Sequence, residues 1–165
     1  MIYWSYRTGI LESWKSGRER ICMIGRYRVF FDTNVLAYLH DKGSPEKRHV
    51  VRELLSSWFP TGKMVVSTQV LQELYVVLTK KLRPPVPPGE ALEELERLNL
   101  GAKTVVVTPE LIFRAVRIHA ENAISFWDAL IVSAASYGGC RIIFTEDLNP
   151  GQVIEGVRVE NPFVR

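Results

Sequence analysis

Apolar and polar residues along this chain alternate between two periods, that of a buried strand and that of an amphipathic helix. Arg28–Phe31 is a short apolar run that stops at Asp32-Thr33-Asn34. Those three are helix N-cap residue types, and Val35, Leu36 and Leu39 follow at helical spacing. Ser44-Pro45 opens a second helix, with Val50, Val51, Leu54, Leu55 and Trp58 on its apolar stripe and Pro60-Thr61-Gly62 as its stop. Met64–Ser67 reads as a buried strand, and Thr68 or Gln69 starts a long helix through Leu82. Arg83–Gly89 is a Pro-rich loop. Glu90–Leu98 is a short helix with Leu92, Leu95 and Leu98 on one side. Thr104–Thr108 is a β-branched strand, and a helix runs from Pro109 to about Ala120. Ser125–Tyr137 is another helix, stopped by Gly138-Gly139. Arg141–Thr145 and Val157–Glu160 are the last strands. Strands separated by helices predict an α/β fold: one domain, with a mostly parallel central sheet and helices on both faces.

Composition narrows the class. With 165 residues the chain makes one ordinary domain, and 47% hydrophobic with 24% charged residues is a globular balance. No apolar run approaches the roughly 18 residues a membrane span needs. The net charge is +3, but the first 22 residues hold four basic residues against two acidic ones, leaving +1 for the rest. Basicity of the body is therefore no argument for nucleic-acid binding. Cys22 and Cys140 form no metal-type cluster, and a reduced, cytoplasmic setting is the plain reading. Residues 1–22, where Ile2, Tyr3, Trp4, Tyr6 and Trp14 alternate with charges, read as an N-terminal extension or as sequence ahead of a true start at Met23. The folded domain is expected over residues 23–165.

Candidate chemistry follows from the strand ends, where function collects in open parallel sheets. Asp32 directly follows the first strand, and Asp147 follows the Arg141–Thr145 strand after one residue. Glu73 lies on the helix after the second strand with Val70 and Val77 one turn away; it is either buried with a partner or at the stripe's edge reaching solvent. Asp128 follows Ser125-Phe126-Trp127, and Ser125 with Asp128 also has the form of a capping box. Four acids at one sheet edge cannot stay ionised together without cations. Hard oxygen ligands suit Mg²⁺ or Mn²⁺, whereas zinc lacks a His/Cys constellation. His40, His49 and His119 have no ligand-like spacing and are expected at the surface.

The ordered set resembles the PIN-domain family in its VapC-like branch. It consists of Phe30-Phe31-Asp32-Thr33-Asn34, then Glu73, then Phe126-Trp127-Asp128-Ala129-Leu130-Ile131, then Phe144-Thr145-Glu146-Asp147-Leu148. Gly151–Val157 and Asn161-Pro162-Phe163 resemble that branch too, and the likeness covers about residues 26–165. It implies a catalytic, metal-binding acidic quartet of Asp32, Glu73, Asp128 and Asp147 around Mg²⁺ or Mn²⁺, with Asp32 and Asp128 at the positions most often treated as direct ligands. Thr33, Asn34 and Thr145 would be polar residues supporting them. It also implies a metal-dependent ribonuclease, the toxin of a type II toxin–antitoxin pair, homodimeric and inhibited by a cognate antitoxin. Glu146 beside Asp147 leaves open which carboxylate faces the metal; motif position favours Asp147. RNA would need flanking cations, for which Lys80, Lys81 and Arg83, or Arg114 and Arg117, are candidates beside the alternative of solvated helix faces.

Competing readings fit less well. A HAD-type phosphatase needs a second Asp two residues after the first, and position 34 is Asn. A receiver domain gathers adjacent acids near its first strand, and Glu146-Asp147 comes too late. A PIN-fold nuclease of RNA processing, or an inactive RNA- or protein-binding module, remains as the alternative; the complete acidic quartet favours catalysis.

Overall fold

Consecutive side chains of a strand point to opposite faces, yet Val29, Phe30 and Phe31 are all fully buried in the first strand, β1 (Arg28–Phe31). Both faces of the sheet are therefore covered, as an uninterrupted apolar run predicts. The computed structural model describes residues 26–164. The expectations for residues 1–22, Cys22 and Met23 lie outside the described residues.

After β1 come α1 (Thr33–Ala37), α2 (Pro45–Trp58), β2 (Met64–Ser67), α3 (Thr68–Val76), α4 (Pro88–Gly101) and β3 (Lys103–Val105). Then follow α5 (Pro109–Asn122), α6 (Phe126–Tyr137), β4 (Cys140–Phe144), β5 (Val153–Ile154) and β6 (Val157–Glu160). The strand order is β3-β2-β1-β4-β6-β5, all parallel except the β5–β6 pair. β1 sits inside the sheet between β2 and β4, and the Phe31 and Phe144 rings lie 5.2 Å apart at its carboxyl end. Those two ring-bearing strand ends open directly into Asp32 and Thr145. Helix α6 runs through the core: Ala129 to Ala135 are all buried, and its chain partner α5 packs along it. Among the described residues no helix is long and apolar enough to cross a membrane.

The boundaries differ from the sequence reading at several places. α4 runs from Pro88 to Gly101, longer at both ends than Glu90–Leu98, because Pro is tolerated in the first turn of a helix. The third strand is Lys103–Val105: it starts one residue earlier than the predicted Thr104–Thr108 and gives up Val106–Thr108, whose residues lead into α5 instead. The helix after β2 ends in a wider turn, Val77–Lys81, in which Leu82 N donates to Val77 O at 3.1 Å. β5 escaped the sequence reading. It is two residues long, too short for a period, and is joined to β6 by Glu155-Gly156, both with positive φ (52° and 75°). That two-residue turn suits a tight antiparallel hairpin, and Gly156 adopts the left-handed backbone freely.

Candidate active site

The β1–α1 corner forms because Asp32 takes an extended backbone while Thr33 begins the helix. Asp32 Oδ1 accepts from Thr33 N at 2.6 Å, and Oδ2 accepts from the Thr145 hydroxyl at 2.7 Å. The residue is 6% exposed. Burial pushes its carboxyl up to about 7; hydrogen bonds from Thr145 and Thr33 oppose this, and the nearby charges of Asp147 and Glu73 add to it.

Thr145 is the hinge of this wall. Its hydroxyl donates to Asp32 and accepts from Asn34 Nδ2 (3.1 Å) and from Asp147 N (3.2 Å). Asn34 Nδ2 also donates to Asp147 Oδ2 at 2.7 Å. The three polar residues expected to support the acids therefore do contact them: Thr33 Oγ1 donates to Glu73 Oε2 at 3.1 Å.

Glu73 is half-buried and lies between the two alternatives the sequence left open. Its Oε1 accepts from Gln69 Nε2 at 2.9 Å, one helical turn away on α3. Gln69 was not singled out from sequence, although its spacing of four from Glu73 was the available signal. Across the cleft, Ser125 caps α6. Its hydroxyl accepts from Asp128 N (3.1 Å) and donates to Asp128 Oδ2 (2.6 Å). The capping role and the presentation of Asp128 are thus one arrangement rather than rivals.

Asp32, Glu73, Asp128 and Asp147 all line one open cleft of about 760 Å³ at the carboxyl edge of the sheet. Glu146 and Asp41 line it too. Glu146 is turned aside: Tyr38 OH donates to its Oε1 at 2.6 Å and Lys47 Nζ to its Oε2 at 2.6 Å. Lys47 also lies over the Tyr38 and Phe163 rings, at 4.3 and 4.9 Å from their centres. Neither Lys47 nor Tyr38 was named from sequence, since nothing local links them to position 146.

The basic candidates separate. Lys81 lines the cleft, carried there by the turn that closes α3. Lys80 and Arg83 are exposed away from the lining, and Arg83 bonds the carbonyls of Lys80 and Leu82. Arg114 pairs with Glu155 and donates to Ser136 Oγ at 3.0 Å, so it fastens the β5–β6 turn to α6. His49 and His119 are exposed as expected, but His40 is half-buried, with Nε2 3.6 Å from Glu94 Oε1.

The donors at the cleft suit a hard cation. They are carboxylate, amide and hydroxyl oxygens, without thiol or imidazole. Among the described residues the side-chain carbonyl oxygens of Asn34 and Gln69, both residues of the cleft lining, are buried acceptors with no hydrogen-bond partner. Among the described residues no three His, Cys, Asp or Glu side chains form a ready cage. A cage suits Zn²⁺ or Ca²⁺; Mg²⁺ keeps most of its waters and uses one or two carboxylates.

The family model of the PIN domain matches residues 29–153, which takes in all four acids. No curated protein matches the chain in sequence. Among solved structures the chain is similar to the sarcin-ricin-loop-cleaving toxin VapC20 of Mycobacterium tuberculosis (TM-score 0.57, 22% identity), covering 72% of this chain and 91% of that one. It is similar to a toxin–antitoxin complex from Klebsiella pneumoniae (TM-score 0.61, 20% identity; 82% and 98% covered). DNA-bound VapBC from Salmonella typhimurium gives a TM-score of 0.60 at 23% identity, again over 82% and 98%. At these identities the likeness is one of fold.

Proposed function

The chain belongs to the PIN domain family, and from that premise we propose that it is a divalent-metal-dependent ribonuclease, the toxin of a VapBC-type toxin–antitoxin pair. The observation that carries this reading is the meeting of four carboxylates, from the β1–α1 corner, α3, the start of α6 and the turn after β4, around one cleft. The toxin–antitoxin complexes among the structures it resembles support an antitoxin partner. A homodimer working in the cytoplasm completes the proposal.

Asp32 and Asp128 are the side chains that would hold Mg²⁺ or Mn²⁺, with Asp147 beside them. When bound, the cation offsets charge on the phosphoryl oxygens and makes water at the site more acidic. The chain's own residues do the rest. Thr145 and the Thr33 amide hold both oxygens of Asp32, so that it meets the cleft in one orientation. Ser125 fixes Asp128 in the first turn of α6, where the helix end favours negative charge. Glu73, steadied by Thr33 and Gln69, or Asp147, held by Asn34, would orient the attacking water or take its proton.

The test is Mn²⁺ titration by calorimetry on wild type and Asp32→Asn, with RNA cleavage measured on the same samples. Metal binding and cleavage, both lost in the variant, are the expected result. A folded wild type that binds no metal and cuts no RNA would make the acids structural, and a binding module would replace the nuclease.

A further inference from the structure

On the ribonuclease reading a polyanion must enter this cleft, yet among the described residues its lining offers six carboxylates and one cation, Lys81. Attraction between basic side chains and phosphates usually supplies most of the binding free energy for nucleic acid. Here it is scarce, so another contact has to hold the substrate.

Trp127 is placed to make it. The residue lines the cleft next to Asp128 and is 62% exposed, in a helix that past Asp128 is buried from Ala129 through Ala135. A tryptophan left this open forgoes the burial that normally stabilises it. Its position is nevertheless firm. It packs edge-on against Phe126 with ring centres 5.3 Å apart. Its backbone carbonyl accepts from Gln69 Nε2 at 3.4 Å, and the same amide nitrogen donates to Glu73. The aromatic platform and the Glu73 carboxylate therefore share one anchor.

We propose that Trp127 stacks on an unpaired RNA base beside the phosphodiester bond to be cut and is the chief grip of the cleft on its substrate. Exposed aromatic rings bind splayed bases through their π-faces, which a continuous A-form duplex keeps stacked and out of reach. Stacking needs no cation, which matches the charge of this cleft. The inference rests on the ribonuclease reading and adds the group that grips the RNA.

The experiment compares wild type, Trp127→Ala and Trp127→Phe on short single-stranded RNA in Mn²⁺ buffer, on the same RNA with single abasic positions, and on its duplex. Trp127→Ala is expected to raise KM by roughly 5- to 100-fold with kcat little changed, and Trp127→Phe, which keeps a ring, to recover most of it. One abasic position should cost wild type as much as Trp127→Ala does, and should cost Trp127→Ala nothing further, because both remove the same contact. Additive losses, an unchanged KM in Trp127→Ala, or duplex cut as well as single strand would overturn the inference and leave the nuclease standing. A Trp127→Ala variant whose mass in solution differs from wild type would overturn it in favour of a ring covered by a second copy. If wild type cuts no RNA but oligouridylate quenches a fluorescence that Trp127→Phe lacks, stacking stands and the nuclease reading falls.

Discussion

Asp32 and Asp128 face the same cleft from walls built on different terms. Asp32 is 6% exposed, with one oxygen held by the Thr33 amide and the other by the Thr145 hydroxyl, which Asn34 and Asp147 hold in turn. Asp128 is half-buried in the first turn of a twelve-residue helix and is steered by its own cap, Ser125. The first wall is long-range: β1, α1 and the turn after β4 must all be in place before it exists. The second is local, complete within four residues of chain. A buried carboxylate resists ionisation unless something compensates its charge, whereas a carboxylate at the open end of a helix keeps both water and the helix end. The difference suggests a division of labour, in which the Asp32 wall ties metal binding to folding and the Asp128 wall serves metal binding and chemistry with little effect on the metal-free fold.

Asp128→Asn gives the largest effect and the sharpest test. Cleavage in Mn²⁺ should fall by roughly 10²- to 10³-fold, the equivalent of several kcal/mol of lost charge stabilisation. Its urea midpoint should move little, by under about 0.5 kcal/mol, since the side chain is partly solvated and its neighbours stay paired. If Asp128→Asn unfolds the protein, the two walls are not distinct.

Asp32 should show itself in stability against pH. Its folded pKa of about 7 stands above the usual 3.8. Below 3.8 both folded and unfolded chains hold the proton and nothing is lost. As pH rises from there, the unfolded chain releases its proton first, so stability falls until about pH 7 and then levels off. The upper bound on the fall is on the order of 4 kcal/mol. Urea unfolding of metal-free protein across this window should show the slope in wild type and lose it in Asp32→Asn. Mn²⁺ should restore stability to wild type above pH 7 and leave Asp32→Asn unmoved. A flat wild-type profile would mean that Asp32 is ionised in the fold without a cation.

Thr145→Val sharpens the contrast at a smaller scale. It removes the hydroxyl that joins Asp32, Asn34 and Asp147, and the expected cost is roughly 10- to 100-fold in Mn²⁺ affinity. The same change should destabilise the fold by about 1–3 kcal/mol, because Asn34 Nδ2 and the Asp147 amide lose an acceptor. Calorimetry and urea unfolding on one preparation read both.

What could be read from sequence divides along the same line. β1, β2 and the start of α6 stand where the pattern put them, because an apolar run ended by Asp, Ser or Thr carries strand, stop and cap together. Asp32, Asp128 and Asp147 were visible because each sits at or just beyond such a junction, and Glu73 because a carboxylate among the apolar residues of a helix is out of place. The supports that cross the chain were harder to see. Nothing near position 146 announces Lys47 or Tyr38, nothing near Arg114 announces Glu155, and His40 meets Glu94 on a distant helix. Pairings of that kind are decided when the sheet assembles, so a single sequence shows the charged residues without showing which partner each takes.

Glu146 and Asp147 bring the comparison down to adjacent residues, and here the smallest effect is expected. Both are acids on one turn, but they take different partners. Asp147 is tied to Asn34 and Thr145, inside the network of Asp32, while Glu146 is tied to Lys47 and Tyr38 at the outer rim. The Lys47–Glu146 pair is partly exposed, with side chains 36% and 24% accessible. Screening by solvent therefore leaves it worth about 1 kcal/mol or less, even with Lys47 lying over two rings. Glu146→Gln should accordingly leave Mn²⁺-dependent cleavage within about threefold of wild type while lowering the urea midpoint slightly. Asp147→Asn should do the reverse, reducing cleavage by roughly tenfold or more with little change in stability, because the amide can still accept from Asn34. Should Glu146→Gln prove the more damaging to cleavage, the carboxylate facing the metal would be Glu146, and the Lys47 contact would be one that cation binding has to break.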